Sequence, residues 1–262
     1  MKNDTRTSIK IIVTVTFLMM VTMNILANVL PINGITTGEV SDKYSNLFAP
    51  AGYTFAILGL IYILLAGYTV YQLGIFQKVN ENYLLLNKIG VYFSISSIAN
   101  VLWILSWHFD KIGYSVILMV AILLCLIQIN RMTSNEILSP IEKLFIRLPF
   151  SIYFGWITVA LIANITTYLV SIGWSGFGIS EVVWTILILL VGVIIGTITM
   201  LTNRDVAYGL VFVWAYLGIL VKHVSVNGYN GEYLSIIVMA ASCILFLIVE
   251  LLYLFKANRI EL

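Results

Sequence analysis

Apolar residues in this chain neither alternate nor recur on a single helical stripe; they run on through eight stretches divided by short connectors that hold most of the charged residues. The stretches cover residues 9–30, 53–73, 88–106, 113–130, 147–171, 181–201, 206–221 and 233–255. Crossing ~30 Å of hydrocarbon takes about 20 apolar residues, and only helices or closed barrels satisfy their backbone there. Runs of this length predict an all-α, polytopic transmembrane helix bundle of eight spans. The seventh is the shortest, bounded by Arg204-Asp205 and Lys222-His223, and a seven-span chain is the alternative to it.

Charge placement discriminates between these two counts, because Lys and Arg concentrate in cytoplasmic connectors. With the N-terminus inside, the cytoplasmic side collects Lys2, Arg6, Lys10, Lys78, Lys88, Arg131, Lys143, Arg147, Arg204, Lys256 and Arg259. The other side holds only Lys43, Lys111 and Lys222. Removing one span would invert every later loop and destroy the bias. The pattern therefore predicts eight helices with both termini cytoplasmic and places the protein in the plasma membrane. The first apolar run is longer than a secretory h-region, so it reads as the first helix.

Composition agrees: among 262 residues 61% are hydrophobic and 10% charged, with a mean hydropathy of +1.02, which leaves too little charge to clothe a soluble domain. The lipid bilayer is the expected partner, and a net charge of +2 without a basic run argues against nucleic acid. Cys125 and Cys243 fall within apolar runs as small hydrophobes. Gly192 and Gly196 form a Gly-x-x-x-Gly pair that permits close helix approach, within the fold or across a homodimer.

An ionisable group at mid-membrane marks a functional site by default. None stands at mid-span; Glu250 is the deepest, with Lys256 under two turns away, which suits either pairing or snorkelling. That argues against an ion-coupled pump. The helices instead carry amides and indoles: Asn100, Trp103 and Trp107 share a face of the third helix, while Trp156, Ala160 and Asn164 share a face of the fifth. Tyr53, Phe55 and Tyr62 open the second. If these faces meet, Tyr53, Phe55, Tyr62, Asn100, Trp103, Trp156 and Asn164 line an aromatic cavity in which amides orient a flat apolar ligand. The same side chains also suit interface anchoring and plain helix–helix hydrogen bonding. Trp107 and Trp174 sit where belt residues sit, and Trp184 and Trp214 read as packing groups. His108 and His223 read as interfacial polar residues without metal-ligand spacing. No nucleophile, phosphate loop or metal set has a signature, so no catalytic or metal-binding residue is assigned.

The wording of these segments resembles the translocator protein, or tryptophan-rich sensory protein, family over about residues 1–170. The carrying motifs are Trp156-Ile157-Thr158-Val159-Ala160-Leu161-Ile162-Ala163-Asn164, Asn100-Val101-Leu102-Trp103, and Phe48-Ala49-Pro50-Ala51-Gly52-Tyr53-Thr54-Phe55. Tyr53 stands where the family usually has Trp, and a second Trp one turn later is missing. The resemblance implies a five-helix bundle over residues 1–171, followed by three additional helices over 172–262. It further implies a pocket for a porphyrin or haem as ligand, with no cofactor required, in a sensory or regulatory role. Non-coupled transport of a hydrophobic molecule and degradation of bound porphyrin are the alternatives. A fluorescent protein fused after Leu262 should fluoresce and alkaline phosphatase fused after Gly228 should be active; a seven-span chain would reverse both results.

Overall fold

The computed structural model describes residues 2–30, 32–77 and 82–260, with side chains described from residue 7 to residue 257. The basic groups of Lys2, Arg6, Lys78 and Arg259, and Pro31, lie outside this set. Eight long helices follow one another: α1 Lys2–Val29, α2 Ile57–Gln72, α3 Tyr83–His108, α4 Ile112–Ser134, α5 Leu148–Ser171, α6 Glu181–Asn203, α7 Val206–Val224 and α8 Leu234–Ile260. Eight segments are long and apolar enough to cross a membrane, and among the described residues no strand occurs. The seventh span, the shortest of the sequence reading, is a continuous helix of 19 residues.

The chain divides into two compact units, one of residues 1–40 and 58–157, the other of 41–57 and 158–262, so the division falls inside α5. In the first unit α3 packs on α1 and α4. At its centre Phe93 meets Tyr68 and Phe150 edge-on, at centroid separations of 5.3 and 5.5 Å, and Tyr68 meets Phe150 at 4.7 Å. All three rings are fully buried, and edge-to-face pairs add about 0.5–1.5 kcal/mol each beyond their burial. The approach to α5 begins with a reciprocal cap between Ser139 and Glu142 and passes through a π turn, Lys143–Arg147. In that turn Phe145 stacks between Tyr71 and Phe76, each 5.6 Å away.

The outer loop of this unit is tied to the end of α3. His108 Nδ1–H donates to the Ile32 carbonyl (3.0 Å), which leaves Nε2 to accept from the Thr37 hydroxyl (3.1 Å). Trp107 Nε1 donates to Thr37 O and Asn33 Nδ2 to His108 O. His108 is thus fully buried rather than interfacial, and Trp107 anchors a loop. The short helix Thr37–Lys43 starts with a second reciprocal cap, the Thr36 N–H donating to Glu39 Oε2 at 2.6 Å. These hydrogen bonds hold the Glu39 carboxyl below its ordinary range.

In the second unit α8 packs along α7 and α6. The aromatic ridge of α7, Tyr208, Phe212 and Tyr216, repeats every four residues and is buried throughout. It meets the Gly192/Gly196 pair of α6: a Cβ on Gly196 would stand 2.8 Å from the Phe212 ring, and one on Gly192 would strike the Tyr216 hydroxyl. The glycine pair therefore serves close approach within the fold. Asp205 caps α7 by accepting from the Tyr208 N–H. Glu250, on α8, accepts from the Thr197 hydroxyl of α6 at 2.8 Å rather than pairing with Lys256.

Because Phe212 is enclosed, Gly196→Ala should cost about 1–3 kcal/mol by overpacking. Gly59, with no atom within 4 Å of an added Cβ, should tolerate Ala or gain up to about 1 kcal/mol. Thermal unfolding of the two detergent-purified variants checks both signs.

Candidate functional site

Four of the seven residues singled out from sequence lie in the first unit: Tyr62 on α2, Asn100 and Trp103 on α3, and Trp156 on α5. The other three, Tyr53, Phe55 and Asn164, belong to the second.

In the first unit the organising group is the Asn100 amide. Its Oδ1 accepts from Asn24 Nδ2 at 2.7 Å, and Asn24 also donates to the Met20 carbonyl one turn back in α1. Both amides are buried. Tyr153 of α5 stands beside Asn100, and Tyr62 of α2 stands beside Tyr153. Neither tyrosine hydroxyl completes a hydrogen bond of ordinary geometry, although both oxygens are buried. A buried polar atom without a partner costs about 1–3 kcal/mol, and in hydrocarbon no water reduces that cost. The site is therefore a pair of aromatic hydroxyls beside a paired amide, with hydrogen-bonding capacity in reserve. Chemically it can donate to and accept from the polar edge of a guest.

Trp103 and Trp156 follow Asn100 and Tyr153 by three residues on their helices, a displacement of about 4.5 Å along the axis toward each helix's C-terminal end. Trp156 is buried in the helix, whereas Trp103 is half-exposed and stacks on Trp107 at 5.6 Å. The Tyr153 hydroxyl thus has an indole, Trp156, close by on its own helix, and the Asn100 amide has Trp103. Sequence reasoning missed Tyr153 and Asn24. The signal for Tyr153 was its three-residue spacing from Trp156, and for Asn24 its standing as one of two amides, with Asn28, inside the apolar run of α1.

In the second unit Tyr53 is half-exposed and meets Trp214 edge-on at 5.7 Å, while Trp214 Nε1 donates to the Thr54 carbonyl at 2.9 Å. Trp214 thus has the polar partner that helical spacing did not reveal. Asn164 is buried, and Phe55 is half-buried in the 3-10 turn Gly52–Ala56. The preceding loop is packed rather than free: Leu47 and Phe48 are buried, His223 Nε2–H donates to Leu47 O at 2.9 Å, and Tyr229 Oη donates to Asn46 O. His223, like His108, is enclosed and holds a loop carbonyl. Beyond it Tyr233 packs edge-on to both His223 and Tyr229. Partial desolvation first, then the Glu232 carboxylate, Tyr229 and Glu181, raise the Tyr233 hydroxyl above its ordinary range.

Comparison with known proteins gives one family: a profile described as TSPO-like protein matches residues 10–253. No curated protein and no solved structure matches the chain. The family match begins within α1, ends within α8 and includes the three helices beyond the sequence resemblance. Eight apolar spans and a match over nearly the whole length lead to one conclusion: the chain is a multi-pass membrane protein that belongs to the TSPO-like protein family.

Proposed function

We propose that the first unit binds a flat, largely apolar ligand with a polar rim, of the porphyrin or tetrapyrrole class, and that occupancy serves a sensory or regulatory role in the plasma membrane. The observation that carries the proposal is a pair of buried hydroxyls without a well-formed hydrogen bond, Tyr153 with only a weak one to Asn100 and Tyr62 beside Tyr153. A bundle built only for stability would place Phe at both positions and remove the cost of two buried, unpaired oxygens. Retaining them makes sense when a guest supplies the missing partners. Trp103 and Trp156, next along α3 and α5, are the stacking groups, and Asn24 fixes the Asn100 amide so that it meets the guest preorganised. The predominance of Lys and Arg on one side of the eight spans supports insertion in a plasma membrane.

This reading separates stability from binding. Tyr62→Phe/Tyr153→Phe should unfold at the same or a higher temperature than the parent, and yet bind protoporphyrin about tenfold more weakly, as ~1.4 kcal/mol lost from the contacts would give. Tryptophan quenching and the porphyrin absorption shift measure the affinity, with Trp103→Phe/Trp156→Phe as the companion variant that should lose saturable binding. Unchanged affinity in both double variants, or absence of porphyrin and haem binding by the parent, overturns the proposal.

A further inference from the structure

The second unit contains a cavity of about 260 Å³ at the outer ends of α5 and α6. Its walls include Trp174 and Trp184, and Asn46, Thr166, Thr185 and Glu181 stand around it. The two indoles pack at 5.0 Å with their planes 56° apart, which gives the cavity two non-parallel aromatic faces. Their arrangement is fixed by the loop between the helices. Trp184 Nε1 donates to the Gly176 carbonyl at 2.8 Å, so this indole offers its ring face to a guest and keeps its donor for the chain. Gly176 has φ +64°, and a Cβ there would stand 2.9 Å from Trp184 Nε1, so both backbone and space require glycine at this point.

Of the other polar side chains around the cavity, three are internally satisfied, and Ser175 is exposed. Thr166 and Thr185 donate to the carbonyls one turn back, and Asn46 bonds Tyr44 O and the Phe48 N–H. Glu181 differs: its carboxylate has no ion-pair partner among the described residues. Lys222 is 3.6 Å from Asp42 and is already partnered, while Glu232 and Glu181 both act on the Tyr233 hydroxyl. A carboxylate without a counter-ion beside aromatic faces disfavours anions and attracts cations, which gain further from the indole quadrupoles. Glu181 also stabilises the N-terminus of α6, but that role needs neither the cavity nor the two indoles.

We propose that this cavity is a binding site for a small organic cation of the alkylammonium class, with Trp174 and Trp184 as aromatic walls and Glu181 as the counter-charge. Its volume suits a trimethylammonium-sized group and not a porphyrin. The same chemistry is presented by a free quaternary amine and by a choline lipid headgroup.

The test uses the full-length protein in a maltoside detergent, titrated with tetramethylammonium while its tryptophan emission is followed. The expected result is a saturable change that is at least fivefold weaker in Glu181→Gln, lost in Trp174→Leu, and not reproduced by the neutral isostere tert-butanol. Glu181→Gln and the parent should unfold at similar temperatures, which separates binding from a helix-end effect. Repeating the titration in nanodiscs of one fixed phosphatidylglycerol content, made up with either a choline lipid or a neutral glycolipid, identifies the source at equal surface charge: weaker apparent affinity with the choline lipid assigns the site to a headgroup, and equal affinity assigns it to a free solute. No saturable change, equal response to tert-butanol, or unaltered affinity in Glu181→Gln overturns the proposal.

Discussion

Hydrocarbon supplies no hydrogen-bond partners, so each polar group that the chain carries into the bilayer must find its partner in the chain itself. Helix formation satisfies the backbone within each span, but helix ends and buried side chains need specific solutions. Lys10 reaches across to donate to the Leu73 carbonyl at the end of α2. At the other end of the first unit, His108 and Trp107 together hold Ile32 and Thr37. In the second unit, His223 and Trp214 do the same for Leu47 and the Thr54 turn. Each of these bonds is worth about 0.5–1.5 kcal/mol when made and more when broken. The long-range side-chain bonds thus decide where the loops lie, and the apolar helices leave that choice open.

That division explains what could be read in advance. Span number, order and orientation depend on run length and on the placement of Lys and Arg, both of which are local properties of the chain. The glycine pair of α6 was legible as a point of close approach, but its partners, Phe212 and Tyr216, were not, since they come from another helix. The two histidines were misread for a related reason. A lone His near a helix end looks interfacial, and only the three-dimensional course of the loops puts Ile32 and Leu47 carbonyls against the rings and closes them off. Trp184 and Trp214 likewise looked like packing groups because their acceptors, Gly176 and Thr54, lie off the helical repeat.

The candidate site was legible to the extent that helical spacing could define it. Asn100 with Trp103, and Trp156 with its surroundings, share faces by arithmetic alone. What arithmetic omits is the rotation of one helix against another. The amide partner Asn24 and the hydroxyl of Tyr153 enter only through packing of α1 and α5 around α3. The distribution of the seven residues over two compact units was also invisible, because the division runs through the interior of α5, where Gly155 stands within a continuous helix and no connector or charge marks it.

Buried tyrosines show how unevenly the two units meet the demand for partners. In the second unit Tyr208 Oη donates to the Thr158 hydroxyl at 3.2 Å and Tyr216 Oη to the Leu189 carbonyl at 2.7 Å, so both rings have their oxygens satisfied. In the first unit the oxygens of Tyr62, Tyr68 and Tyr153 are all buried and none completes a hydrogen bond of ordinary geometry, Tyr153 having only a weak one with Asn100. The residue type, the apolar helices and the degree of enclosure are shared, so tyrosine burial as such does not produce the shortfall. Of the three, Tyr68 sits inside a closed cluster with Phe93 and Phe150, whereas Tyr153 adjoins Asn100 of the Asn24–Asn100 pair and Tyr62 stands beside Tyr153. One unpaired oxygen among phenyl rings is a cost of packing. Two beside a fixed amide form a cluster whose unused hydrogen bonds point to a partner from outside the chain.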